Sequence, residues 1–310
     1  MIYTCTISPS IDYTVFVPEF KSGNLNRSEQ VHYYPGGKGI NVSRVLKRLG
    51  VSSRALGFTG GFTGQYIQAF LTNEDIATDF IETDDITRIN VKIKSHTETE
   101  INGPGPTLTE EQLSMLTAKV RAMQQGDWFV LSGSMPRSVP TDFMMELATL
   151  CNTNGVRFVV DTSGPALKQL LSAPVFLVKP NQHELGELFG VEITSIADAY
   201  RYAQQLVKSG TTYVVVSLGS EGALLVSKEL ALRAKPPKGQ VVNTVGSGDS
   251  LVAGFIASYA HSADAITAFR TAVASGSATA FRSDLCEEED VFRLLEQVEI
   301  YPFEEKDVTT

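Results

Sequence analysis

Asn243-Thr244-Val245-Gly246-Ser247-Gly248-Asp249-Ser250 runs directly into Leu251-Val252-Ala253-Gly254-Phe255-Ile256-Ala257, so a phosphate-sized backbone nest and one carboxylate stand at the entrance of an apolar helix. Gly246 and Gly248 carry no Cβ, which lets successive N–H groups turn inward on an anion, and the positive end of the following helix adds to the attraction. Asp249 is then the candidate base, and the whole is equipment for phosphoryl transfer. A Gly/Ser/Asp cluster between a strand and a helix is by itself an ordinary loop. The surrounding motifs decide the matter.

Outward from this stretch, strand-like runs alternate with helical ones. Residues 127–131 (Asp-Trp-Phe-Val-Leu) precede an apolar-periodic segment over 141–150 and a second strand-like run over 156–160. Residues 176–178 precede a helix beginning near Gln182, and the helical stretch 196–208 leads to the strand-like run 213–217. Thr109 with Gln112 three residues on predicts a capping box for a helix running toward Met123. Short β-rich runs separated by amphipathic helices imply βαβ units and an α/β fold with a parallel sheet covered on both faces.

Two regions break this rhythm. Residues 12–17 and 30–34 are extended with no helix between them. In residues 88–94, Ile89, Val91 and Ile93 share one face while Arg88, Asn90, Lys92 and Lys94 share the other. A further short strand, Thr99-Glu100-Ile101-Asn102, ends at Gly103-Pro104-Gly105-Pro106. These segments predict a small antiparallel sheet, a natural lid, with Lys92 and Lys94 on its wet face and Arg88 at its root as a ligand candidate.

Pro35-Gly36-Gly37-Lys38-Gly39-Ile40-Asn41-Val42-Ser43-Arg44 forms a second chemical cluster and leads into a helix continued through Leu49. Its glycines allow close approach of a ligand, Lys38 supplies a point charge, and Asn41 offers both donor and acceptor, a combination that matches an anionic polyol. Arg44, Lys47 and Arg48 read as the solvated face of that helix. Lys38 is followed by Gly39 rather than Ser or Thr, so this is not a Walker A loop, and the cluster is assigned to the substrate.

A chain of 310 residues with 43% hydrophobic content can bury a sizeable core. Its formal net charge of -9 argues against nucleic acid or an anionic membrane as partner. Cys5, Cys151 and Cys286 have no metal-type spacing and fit core thiols in a reducing compartment. The N-terminus lacks a basic n-region, and no apolar run approaches the ~20 residues of a membrane span, so a cytoplasmic location is expected.

With both clusters in view, the sequence resembles the ribokinase-like (PfkB) carbohydrate kinase family over essentially its whole length. The first signature is similar to Gly36 through Gly50. The second extends from the Asp-x-x-Gly stretch at Asp161 to Gly246-Ser247-Gly248-Asp249, about two hundred residues beyond the first. The lysine in Gly-Gly-Lys-Gly, Thr6-Ile7-Ser8-Pro9-Ser10-Ile11-Asp12 and the run Thr99 to Pro106 resemble the branch acting on hexose phosphates. The resemblance implies a three-layer α/β/α domain over 1–310, with a mainly parallel central sheet and lid strands interleaved at about 12–34 and 87–103.

It further implies that Asp12, Gly37 and Asn41 hold the sugar hydroxyls while Lys38 and Arg88 hold the phosphate already on the sugar, two cations for which a neutral sugar has no use. Asn181 and Glu184 match the family's Asn-x-x-Glu motif, which organises Mg2+ and its waters. On spacing alone the same pair is an N-cap and the third helical residue of a capping box, and both roles can coexist. Ser217, Gly219, Gly222 and Ser275 are similar to the nucleotide-contacting positions. Ser132-Gly133-Ser134-Met135-Pro136 stays a plain βα turn at a strand end.

The implied reaction has Asp249 accepting the proton of the sugar's primary hydroxyl as its oxygen attacks ATP, with Gly246, Ser247 and Gly248 donating N–H groups to the transferred phosphoryl group. Asp249 is expected to be an exposed, ionised carboxylate near pKa ~4. The acceptor is expected to be a ketohexose phosphate, fructose 1-phosphate by the Asn102 to Pro106 run, with tagatose 6-phosphate as the alternative and a 6-phosphofructokinase further off. A neutral-sugar kinase would not need Lys38 with Arg88, and a sugar-phosphate sensor could dispense with Asp249 and the metal motif. No Gly-x-Ser-x-Gly elbow and no Gly-x-Gly-x-x-Gly fingerprint occur, which disfavours a hydrolase and a dehydrogenase. An apolar lid face could also pair two protomers into a homodimer.

Overall fold

A computed structural model describes residues 1–169 and 173–303. Among these residues, one sheet of eleven strands forms the middle layer. The parallel strand pairs lie between Ala77–Thr78 and Tyr213–Ser217, and the edge strands Ala223–Val226, Ala231–Lys235 and Glu299–Pro302 run antiparallel. Period-two alternation sends successive side chains to opposite faces. Phe129, Leu131, Phe158 and Val160 pack with Leu116, Leu147, Leu185 and Leu206 on one face. Trp128, Val130 and Val159 pack with Val45, Val252, Phe255 and Phe269 on the other. These two apolar layers confirm the three-layer expectation.

Strand Ile2–Thr6 pairs in parallel with Ser53–Thr59 on one side and Trp128–Ser132 on the other, so the chain order reverses there. In open α/β sheets, ligands gather at the carboxyl ends of strands at such a switch point. Register places Thr6 beside Ser132 and Ser132 beside Asp161 along that edge.

A separate four-stranded sheet holds Gln30–Gly36, Ser10–Phe16, Arg88–Lys94 and Glu98–Ile101 in that spatial order. Its outer pairs are antiparallel, as tight or loop connections allow, whereas the central pair Ser10–Phe16 with Arg88–Lys94 is parallel. The long stretch between these two strands, which contains two helices, supplies the crossover that a parallel pair needs.

Candidate active site

The helix Ser247–Ser262 starts on Gly246, whose φ of 82° is the left-handed conformation that glycine adopts without strain. Among the described residues no side chain caps this start, and Ser247 N donates to Thr244 O at 3.2 Å. Of the three amides expected to meet a phosphoryl group, those of Gly246 and Gly248 therefore keep their donors for a ligand, while that of Ser247 is engaged in the turn. Asp249 sits in that first turn and is 5% exposed. Asn41 Nδ2 donates to its Oδ2 at 2.8 Å, which joins the two glycine-rich helix starts.

Asp249 therefore departs from the exposed carboxylate that its loop-like sequence suggested. Burial raises its pKa to about 6, and the negative charge of Asp161 pushes the same way against Lys38, Asn41 and Lys179. A desolvated carboxyl facing a second acid holds its proton more tightly than one in water.

Behind this base lies a pair of ammonium groups sharing one acid. Asp161, enclosed at the end of strand Arg157–Asp161, takes Lys38 Nζ at 3.0 Å and Lys179 Nζ at 3.4 Å on the same oxygen, Oδ1. Burial alone would raise the pKa of Asp161, but the charges of Lys179 and Lys38 more than offset it and the carboxyl is held down. Burial likewise works against the Lys38 ammonium, yet Asp161, Glu184 and Asp249 outweigh it and the pKa is raised. Lys179 is 4% exposed, and a Cβ at Gly248 would lie 3.1 Å from its Nζ, which puts this ammonium beside the nest.

Lys38, expected with Arg88 on the phosphate of the sugar, thus lies instead among acids near Asp249, while Arg88 lies at the root of the lid. Arg88 Nη1 donates to Gly103 O at 3.1 Å and Nη2 to Ser8 O at 3.0 Å, and its buried Nε has no partner among the described residues. Burial lowers its pKa and Asp12 partly restores it. Asp12 is held by Ser10 Oγ at 2.8 Å and Asn90 Nδ2 at 3.0 Å, and Lys92 Nζ stands 3.7 Å from its other oxygen. Lys92, assigned by alternation to a wet face, has a side chain only 13% exposed, because it lies between Asp12 and Glu100 of the two flanking lid strands.

Asn181 and Glu184 form the capping box that spacing predicted: Glu184 N donates to Asn181 Oδ1 and Asn181 N to Glu184 Oε2, both at 2.8 Å. The remaining Glu184 oxygen lies 3.8 Å from Lys38 Nζ. Among the described residues no group of three or more His, Cys, Asp or Glu could enclose a metal. One carboxylate oxygen beside the amide suits a magnesium ion that keeps most of its water.

Ser217 ends strand Tyr213–Ser217 and bridges to Asn181, and Gly219 opens and Gly222 closes a single 3-10 turn leading to strand Ala223–Val226. Ser275 is placed elsewhere. Its side chain is fully buried against Gly254 of the neighbouring helix, so it belongs to the seam between Ser247–Ser262 and Ala265–Ala280 and offers no surface to a ligand.

Lys179 and Asp161 were not singled out by sequence reasoning as site residues. Each is a charged residue ending an apolar run, Lys179 directly before Pro180-Asn181 and Asp161 opening Asp-x-x-Gly, and that isolation at a strand's carboxyl end was the available signal.

The pfkB family carbohydrate kinase pattern matches residues 2–290. A 1-phosphofructokinase of Bacillus subtilis (strain 168) is 50% identical, covering 97% of this chain and 99% of its own. A D-tagatose-1-phosphate kinase of Bacillus licheniformis is 38% identical over the same shares. Phosphofructokinase-2 from Escherichia coli, solved with fructose-6-phosphate and in a tetrameric inhibited form, superposes with TM-score 0.90 at 34% identity, covering 96% of this chain and 98% of its own. Its fold is the ribokinase-like one, and the chain belongs to the pfkB family of carbohydrate kinases.

Proposed function

We propose that this protein is an ATP-dependent kinase for a ketohexose 1-phosphate, converting fructose 1-phosphate to fructose 1,6-bisphosphate. The observation that carries the reading is Asp249, a buried carboxylate at a glycine-rich helix start, held on one oxygen by Asn41 and flanked by Lys38 and Lys179. The other carboxylate oxygen takes the proton of the sugar's C6 hydroxyl. The freed oxygen forms its bond to the γ-phosphorus as the bond to the β-bridging oxygen breaks, and ADP leaves with that electron pair. The amides of Gly246 and Gly248, with Lys38 and Lys179, meet the charge on the transferred group.

Asp12, Gly37, Asn41 and Asn90 hold the sugar hydroxyls. Arg88, with Lys92 beside Asp12, receives the phosphate carried at C1, the end of the sugar remote from Asp249. Asn181 and Glu184 would hold magnesium, which would neutralise charge on the nucleotide phosphates. The nucleotide lies along Ser217, Gly219 and Gly222, with exposed Val241 and Val242 as an apolar surface for adenine.

Tagatose 1-phosphate is the second reading, favoured by the 38% identical relative named for that sugar. Tagatose differs from fructose in configuration at C4, so this alternative keeps the phosphate at C1 and is decided by the Asp12 and Asn90 side of the pocket. A coupled ADP-release assay comparing fructose 1-phosphate, tagatose 1-phosphate, tagatose 6-phosphate, fructose 6-phosphate and fructose as kcat/KM tests the reading. A preference for an unphosphorylated sugar would overturn the role of Arg88, and no turnover with any of them would leave a sensor.

The lid also supports a homodimer. Register puts Val31, Tyr33, Ile89 and Ile101 on the lid face opposite Asp12, and all four are exposed. A second copy burying this face removes a large apolar patch from water. Three buried unpaired thiols fit a reducing, cytoplasmic setting, and no described helix is long and apolar enough to cross a membrane.

A further inference from the structure

A buried cluster beside the site joins the lid to the phosphate nest. Arg44, read from sequence as part of a solvated helix face, is 3% exposed. It lies on the helix Lys38–Arg48, one turn beyond Asn41. Its Nε and Nη2 donate to Glu74 at 2.9 and 3.0 Å, and its Nη1 and Nη2 to Asp284 at 3.3 and 3.1 Å. Burial costs the charged guanidinium, but both acids favour it and its pKa is raised. The guanidinium carbon stands 5.9 Å from the ring centroid of Tyr34 and 5.2 Å from that of Phe70.

Tyr34 belongs to lid strand Gln30–Gly36 and pairs directly opposite Asp12, so it shares the lid face that bears the sugar-side residues. On the other side of Arg44, Asp284 precedes Leu285, whose Cδ2 would lie 2.5 Å from a Cβ placed on Gly246. Arg48 Nη1 donates to Leu285 O at 2.6 Å. Cys286 N donates to Thr279 Oγ1, whose hydroxyl meets Ser250 Oγ at 2.7 Å in the first turn of the nest helix. Contact is therefore continuous from the lid ring through Arg44 and Asp284 to the wall behind Gly246. A planar guanidinium held by four hydrogen bonds cannot turn without moving both acids, unlike a single ammonium.

We propose that Arg44 is a positioning residue that couples the two substrate sites: lid ordering over a sugar phosphate seats Tyr34 on its guanidinium, the fork holds Asp284 and Leu285 against Gly246, and the nest is set for the nucleotide. The coupling is reciprocal, so bound nucleotide also favours the closed lid. This inference rests on the kinase reading above.

The test is calorimetric titration of a non-hydrolysable ATP analogue with magnesium, with and without fructose 1-phosphate. In the unaltered protein the analogue binds about tenfold tighter when the sugar phosphate is present. Arg44→Lys keeps the charge without the fork, and Tyr34→Leu leaves both ion pairs intact. In each the factor falls to within about twofold of one, while the affinity for either ligand alone moves less than about threefold. Coupling retained in either variant overturns the proposal, as does its absence from an unaltered protein that binds both ligands singly. Should Arg44→Lys not fold, Tyr34→Leu decides alone. If the unaltered protein binds neither ligand, the kinase reading itself fails, an outcome distinct from binding without coupling.

Discussion

Two helices of this protein begin on a glycine with positive φ, which has no side chain of its own to cap them, and they are put to opposite uses. Lys38–Arg48 follows Gly37 at φ 123°, and Ser247–Ser262 follows Gly246 at φ 82°. In the first, Thr6 Oγ1 takes the Ile40 amide, and the opening residue is a cation that a helix N-terminus disfavours. Lys38 stays charged because Asp161, Glu184 and Asp249 converge on it. In the second, the opening turn carries the acid that the dipole favours, yet burial and Asp161 lift its pKa. The same local glycine device presents amides in both, and the charge arriving from other strands decides what each start can do.

The sharpest way to break this comparison is Asp249→Asn. Turnover should fall at least ~100-fold with nucleotide binding retained, measured by steady-state assay beside calorimetry. Near-normal turnover would make the two helix starts equivalent. The base must be ionised, so kcat should decline as pH drops through about 6. Stability runs the other way. A carboxyl whose folded pKa is raised favours the folded state at low pH, and that contribution is lost as pH rises through about 6. Asp249→Asn should therefore melt higher than the unaltered protein at pH 8, an advantage that vanishes at pH 4.

Lys179→Met tests whether the nest needs the second ammonium: kcat should fall about 30-fold, the scale of one charge-assisted hydrogen bond, with the sugar KM little changed. A rise in sugar KM alone would move Lys179 to the other side of the site. Arg88→Ala should raise KM for the sugar phosphate about tenfold and leave KM for fructose unmoved. Equal effects on both sugars would reduce Arg88 to a lid brace. The mildest probe is Gly248→Ala, where the added Cβ meets only the flexible end of Lys179. It should lower kcat about threefold without a change in melting temperature. A large stability loss there would mean that the lysine cannot give way.

Much of the frame was legible because it is locally encoded. Helix Ile196–Lys208 and strand Tyr213–Ser217 have the bounds that periodicity predicted. The capping boxes at Thr109 with Gln112 and at Asn181 with Glu184 form as three-residue spacing requires. Alternation in residues 88–94 found a lid strand and sorted its faces, but not which face water would see. Lys92 and Arg44 were misread for one reason: amphipathic periodicity separates polar from apolar positions without saying whether a second acid lies across from the polar ones. Glu74 and Asp284, which enclose Arg44, come from segments 30 and 240 residues away.

By itself the sequence determined the alternating α/β frame, the lid strands, both glycine-rich helix starts and the identity of the candidate base, since backbone freedom, side-chain period and capping act over a few residues. Only the tertiary structure decided that Asn41 reaches Asp249 across 208 positions, that Asp161 and two lysines stand behind it, and that the base is desolvated. Electrostatics and burial depend on which distant groups share a low-dielectric space, and no local pattern carries that information.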